Sequence, residues 1–145
     1  MKLGHKAFSL FFTSILLFTS VAQAQTETYR ARLSPMPTTP QTVSTILGEG
    51  EVILTLNGNT LTVQGQFEGM SSVATMAHIH NGPPAQPGPV VYQLEIADAT
   101  SGEVSASLEL SDIHVEALRA NELYVQIHSE TNAPGELRGW IFERQ

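Results

Sequence analysis

The sequence predicts an all-β fold, an antiparallel sandwich or barrel with one short helix. Three observations predict it. Short runs of alternating apolar and polar residues recur along the chain. Gly, Pro, Asn and Asp separate them. Only one stretch, Asp112 to Ala120, spaces its apolar residues as a helix does.

Tyr29 to Leu33 opens the series of strands. Ser34 to Thr42 is expected to be a loop, because Pro35, Pro37 and Pro40 cannot serve a central strand. Glu51–Leu56 and Thr60–Phe67 read as a hairpin joined by Asn57-Gly58-Asn59, residues that tolerate the positive φ of a tight turn. In its second strand Leu61, Val63 and Phe67 share one face, and Thr60, Thr62, Gln64 and Gln66 the other, which implies a buried face and a wet one. Ala74 to His80 is the next strand, followed by a proline-rich loop over 81–89. Val90–Glu95 and Glu103–Leu110 continue the pattern. The helix takes Ser111 or Asp112 as its N-cap and buries Val115 and Leu118. Glu122–His128 and Glu136–Phe142 complete the sheet, separated by a turn through Asn132-Ala133-Pro134-Gly135.

The histidines carry the chemistry. Residues two apart on a strand point the same way, so His78 and His80 project together with Met76, while Ala77 and Ile79 face the core. Leu123, Val125 and Ile127 form an apolar face on their own strand, which puts Tyr124, Gln126 and His128 on the opposite, wet face. If the two strands are neighbours, three imidazoles converge on the outside of the sheet. Neutral imidazole suits zinc and copper, and three or four such groups complete a site. The other reading of His-x-His is that the rings tie down an adjacent loop. His114 falls in the helix as a solvated residue, and Met76 is either a soft axial ligand or packing. Glu136 and Arg138 share a strand face and are expected to form an ion pair, with an arginine guiding an anion towards the metal as the alternative. No Gly-x-Ser-x-Gly elbow and no Gly-rich phosphate loop occurs.

The N-terminus sets the compartment. Lys2 and Lys6 precede an apolar run from Ala7 to Val21, and Ala22-Gln23-Ala24 offers a small-x-small cleavage site. Residues 1–24 are therefore expected to be a cleaved signal peptide, with residues 25–145 as a single domain in the periplasm or secreted. A membrane anchor would need about 20 apolar residues, more than this run supplies. The chain has no cysteine, which excludes thiol catalysis and disulfides. Both lysines lie in the signal, leaving Arg30, Arg32, Arg119, Arg138 and Arg144 against fourteen Asp and Glu. Such a surface repels nucleic acid and anionic membranes, and it attracts cations.

Ala77-His78-Ile79-His80-Asn81-Gly82, Gly88-Pro89-Val90-Val91, Leu123 to His128 and Pro134 to Gly139, in this order, resemble the CHRD (chordin-type) domain. The resemblance runs from about Tyr29 to Phe142. It implies an exported domain of a kind found in bacterial proteins and repeated in chordin, and it assigns no chemistry. A weaker similarity is to copper–zinc superoxide dismutase, through the ordered His-x-His pair, late histidine, Gly and Arg. It implies a Greek-key barrel with His78, His80 and His128 as copper ligands and Arg138 near the place of an anion-guiding arginine. The loop over 81–89 holds no bridging histidine, no zinc-ligand cluster is present, and the family's disulfide is impossible. Together these lead to a superoxide-dismutase-like Greek-key fold and a non-catalytic domain binding a transition metal, copper foremost, through His78, His80 and His128. The alternatives are a structural or protein-interaction module without metal and, last, a dismutase-like copper enzyme.

Overall fold

The structure, a computed structural model, describes residues 25–144, so the expected signal peptide lies outside the described residues. Eight strands follow one another: β1 (Glu27–Pro35), β2 (Glu49–Asn57), β3 (Thr60–Glu68), β4 (Ala74–Asn81), β5 (Val90–Ile96), β6 (Gly102–Glu109), β7 (Leu123–Ser129) and β8 (Leu137–Glu143). One helix, α1 (Asp112–Arg119), lies between β6 and β7. The strands close into an antiparallel barrel in the order β1-β2-β3-β6-β5-β4-β7-β8. β4, β5 and β6 are consecutive neighbours, with β3 returning to flank β6 and β7 to flank β4, two overlapping Greek keys. The expected all-β antiparallel architecture with one short helix is what forms. Closure leaves no free sheet edge.

Alternation drives each strand. Tyr29, Ala31 and Leu33 of β1 point inward, as do Val52, Leu54 and Leu56 of β2 and Leu61, Val63 and Phe67 of β3. β4 contributes Ala77 and Ile79, β7 Leu123, Val125 and Ile127, and β8 Leu137 and Ile141. α1 adds Val115, Ala117 and Leu118 to the same core. The β2–β3 hairpin turns through Gly58 and Asn59, with only Gly58 at positive φ (61°), the pattern of a type II′ turn. Ile79 is fully buried between Tyr92 and Val125 on the flanking strands. Ile79→Ala is expected to cost roughly 2–5 kcal/mol in a urea unfolding curve, and a loss below about 1 kcal/mol would contradict its place in the core.

Two local expectations change. Ser34 and Pro35 belong to β1, where Pro35 is the last residue and ends opposite Leu137. A proline there interrupts no further ladder. Ser111 sits at the N-cap position without a side-chain cap; its hydroxyl meets His114 Nδ1 at 3.1 Å instead.

Candidate metal centre

β4 lies between β5 and β7, and its register with β7 decides the site. His80 stands opposite Tyr124, His78 opposite Gln126 and Met76 opposite His128. Directly opposed residues on antiparallel strands point to the same face, so all six side chains share the outside of the barrel. Their face is not wet, as the alternation alone implied. Every residue of β7 is buried on both faces, and His80 and His128 are only 7% and 8% exposed. The cover comes from two loops. Gly88 in the 81–89 loop donates its N–H to the Tyr124 hydroxyl (3.0 Å), and the turn over 130–135 folds back against His128.

The two loops also set the imidazole tautomers. His128 Nδ1 is 2.8 Å from the Ala133 carbonyl and His80 Nδ1 is 3.0 Å from the Gly88 carbonyl. A carbonyl only accepts, so both Nδ1 atoms carry the proton and both Nε2 atoms carry a lone pair. His80 Nε2 is buried with no hydrogen-bond partner at all. His128 Nε2 lies 3.2 Å from His78 Nδ1, with Gln126 Nε2 at 3.5 Å. One ligand atom from each of His78, His80 and His128 can be chosen so that all lie within 4.8 Å of one another. Three nitrogens at about 2.0–2.1 Å from one ion stand roughly 3.3–3.6 Å apart in tetrahedral or trigonal geometry, so the rings close by up to about 1.5 Å to hold it. An imidazole N–H anchored on a carbonyl while the other nitrogen faces the ion is the usual support of a metal-bound histidine.

The surroundings favour the neutral form of His78 and His80. Burial pushes His78 below its ordinary value of 6.5, and the neighbouring His128 and His80 push it further. Burial also lowers His80, outweighing the Gly88 carbonyl that favours its protonated form, with His128 and Arg138 adding to the lowering. An unfolded chain takes up these protons near pH 6.5 while the folded protein resists. The metal-free protein is therefore expected to lose stability as pH falls below 6.5, levelling off below the folded values. Urea unfolding at pH 7.5 and 5.5 checks this. A higher midpoint at pH 5.5 than at pH 7.5 would contradict it, since the Glu136 carboxylate is ionised at both values.

The structure relocates three other side chains. Glu136 and Arg138 form no ion pair. Glu136 is fully buried and accepts from Ser129 Oγ (2.5 Å), Ser71 N (2.6 Å), Asn132 Nδ2 (3.1 Å) and Leu47 N (3.2 Å). Arg138 turns the other way: its Nε donates to Gln126 Oε1 (2.8 Å), and the guanidinium lies over the Tyr124 ring at 4.9 Å. His114 is not merely solvated but half-buried, 2.8 Å from the Tyr92 hydroxyl and outside the cluster. Met76 is 44% exposed beside His128, at the open side of the group.

Sequence reasoning did not single out Gly88, Tyr124, Ala133 or Gln126 as parts of the site. Tyr124 stacks on His80 with centroids 4.8 Å apart and planes at 13°. Gln126 joins the turn to β8 by donating to the Pro134 carbonyl (2.9 Å) while accepting from Arg138. A side chain at Gly88 would strike the Asn81 carbonyl, so the loop that holds His80 requires glycine there. The only forward signal for Ala133 is its place before Pro134, which biases it to extended backbone.

Among the described residues no helix is long and apolar enough to cross a membrane. No curated protein and no solved structure matches the chain. A family model for the CHRD domain matches residues 29–141, a span covering every strand pairing that builds the histidine cluster. The chain belongs to the CHRD domain family.

Proposed function

We propose that the protein is an exported, non-catalytic CHRD module that holds one transition-metal ion, copper foremost, through His78, His80 and His128. The observation that supports it most is His80 Nε2, a buried lone pair with nothing to accept. Buried polar atoms without partners are uncommon, and a metal ion is one of the few occupants that would satisfy this one. All three donors are nitrogens with no carboxylate among them, a set that suits copper or zinc over calcium or magnesium. The half-buried His78 and the exposed Met76 leave one side of the ion approachable, and Met76 would favour the softer Cu(I). Export rests on the residues before Gln25 and on the family.

Calorimetric titration of the protein with Cu(II), and with Cu(I) under anaerobic reducing conditions, tests the reading. One equivalent bound with sub-micromolar affinity is expected for at least one of the two ions. Absence of binding to both would overturn it and leave a structural or protein-interaction module. Three contacts favour that second reading: the His78–His128 contact at 3.2 Å joins β4 to β7, and the two carbonyl bonds tie the loops to them, without any ion.

A further inference from the structure

The outer face of the barrel continues past the histidines onto β8 and β1. Tyr124 lies opposite Trp140, and Gln126 opposite Arg138. On the far side of β8, Arg30 pairs with Phe142 and Ser34 with Arg138, which sets Arg32 between them on the same face as Trp140. Beyond the end of β1 the chain curls over this face, and Ala85 of the 81–89 loop closes the rim. The result is a cleft of about 480 Å³, walled by Arg32, Arg138, Trp140, Phe142, Pro35 and Met36.

Charge distinguishes this cleft from the rest of the surface. Arg30 is paired with Glu51, and Arg119 with Glu27 and Glu116. Among the described residues neither Arg32 nor Arg138 forms an ion pair. No Asp or Glu lines the cleft, although acidic residues outnumber basic ones two to one in the chain. Arg138 is also held in place. Its Nε is committed to Gln126, and its guanidinium rests over Tyr124 and Trp140 at 4.9 and 5.7 Å, while its terminal nitrogens make no hydrogen bond to a described residue. Phe142 is 48% exposed in the same wall, an uncovered aromatic beside Arg138 and Arg32, although Arg32 also stands opposite Glu51 of β2, whose carboxylate is taken by Arg30.

Two guanidinium forks in one cleft repel each other until an anion joins them, and a fork matches the two oxygens of a carboxylate. Apart from Ser34 the remaining wall is aromatic and apolar, which suits a hydrocarbon body over a hydrated phosphate. We propose that this cleft binds a small apolar acid, an aromatic carboxylate above all. Its carboxylate lies between Arg32 and Arg138, and its ring lies against Trp140 and Phe142. No histidine lines the cleft, so the proposal stands apart from metal binding.

Trp140 is the only tryptophan in the chain and lines this cleft, so its emission reports on a ligand bound there. The protein is titrated at low salt with phenylacetate, with acetate as the acid lacking a ring and phenylacetamide as the ring lacking a charge. Phenylacetate is expected to give a saturable change, with both controls about tenfold weaker or more. Arg32→Gln is expected to weaken phenylacetate by about tenfold, and Arg32→Lys to recover only part, since it restores the charge without the fork. Arg32 is exposed, so both variants keep the parent's thermal midpoint. A flat titration with phenylacetate, an equal response to phenylacetamide, or unchanged affinity in both variants would overturn the proposal.

Discussion

Replacing Glu136 with alanine is expected to destabilise the protein by about 4 kcal/mol or more, a large part of the 5–15 kcal/mol typical of a domain. Four donors converge on this one carboxylate: the hydroxyl of Ser129, the amide of Asn132 and the backbone N–H groups of Ser71 and Leu47. Each buried donor left without an acceptor costs about 1–3 kcal/mol, less whatever water repays on entering the gap. The same four bonds join the loop before β2, the loop before β4 and the turn before β8. Asn132 extends the connection, since its amide also reaches the Thr45 carbonyl and Ser71 Oγ. Alanine at 136 therefore loosens three loops at once, including the turn whose Ala133 carbonyl orients His128.

The carboxylate also makes this contribution depend on pH. Burial by itself would raise the Glu136 pKa, but the donors of Ser129, Ser71, Asn132 and Leu47 outweigh it and hold the value below the ordinary 4.5. A group lowered in the folded state stabilises fully above its unfolded value, and that stability is lost as pH falls through the folded value. Urea unfolding of the parent and of Glu136→Ala should therefore differ most at pH 7 and converge below pH 4.5. With a slope of about 1–3 kcal/mol per molar urea, the difference at pH 7 is a midpoint shift of a molar or more. Equal midpoints at pH 7 would show that the network contributes nothing.

His128→Ala is expected to lower copper affinity by about a hundredfold or more. Changing a residue that merely supports a metal ligand costs about 10–100-fold, and His128 would be a ligand itself. The stability cost should be smaller, about 1–2 kcal/mol, because one hydrogen bond to Ala133 is lost together with some buried ring surface. His114→Ala is the control, since His114 bonds Tyr92 on the far side of β5 and takes no part in the cluster. A titration in which both variants bind copper as the parent does would move the site away from these histidines. His80→Ala behaves differently from what a wet-face residue would. Its ring is stacked on Tyr124 and bonded to Gly88, so its loss costs stability as well as affinity.

The strands were legible because a closed barrel has a core on one side of every strand. Tyr29, Ala31 and Leu33, or Leu61 and Val63, must alternate with polar residues to be buried on that side only. The helix at 112–119 was legible for the same reason at a different period. The same rule set His78 and His80 on one face and His128 on the outward face of its strand. It misjudged what lies outside. Whether an outward face meets water depends on which loops fold over it: the loop over 81–89 reaches β7 from a distant part of the chain, and the turn over 130–135 doubles back onto it. Glu136 and Arg138 were two residues apart on one face and read as a pair. Each instead found partners from other elements, Ser71 and Leu47 for the acid, Gln126 and Tyr124 for the base.

By itself, then, the sequence determined the β class, nearly every strand, the helix at 112–119, and the outward direction of His78, His80 and His128. These follow from local periodicity, which needs no knowledge of neighbours. Only the tertiary structure decided that β4 lies beside β7, so that Met76 meets His128 and His80 meets Tyr124. It alone turned the Gly88 and Ala133 carbonyls onto the two imidazoles, leaving His80 Nε2 without a partner and turning His128 Nε2 towards His78. Strand order and carbonyl direction are set by how the chain closes on itself, and no stretch of residues carries that information locally.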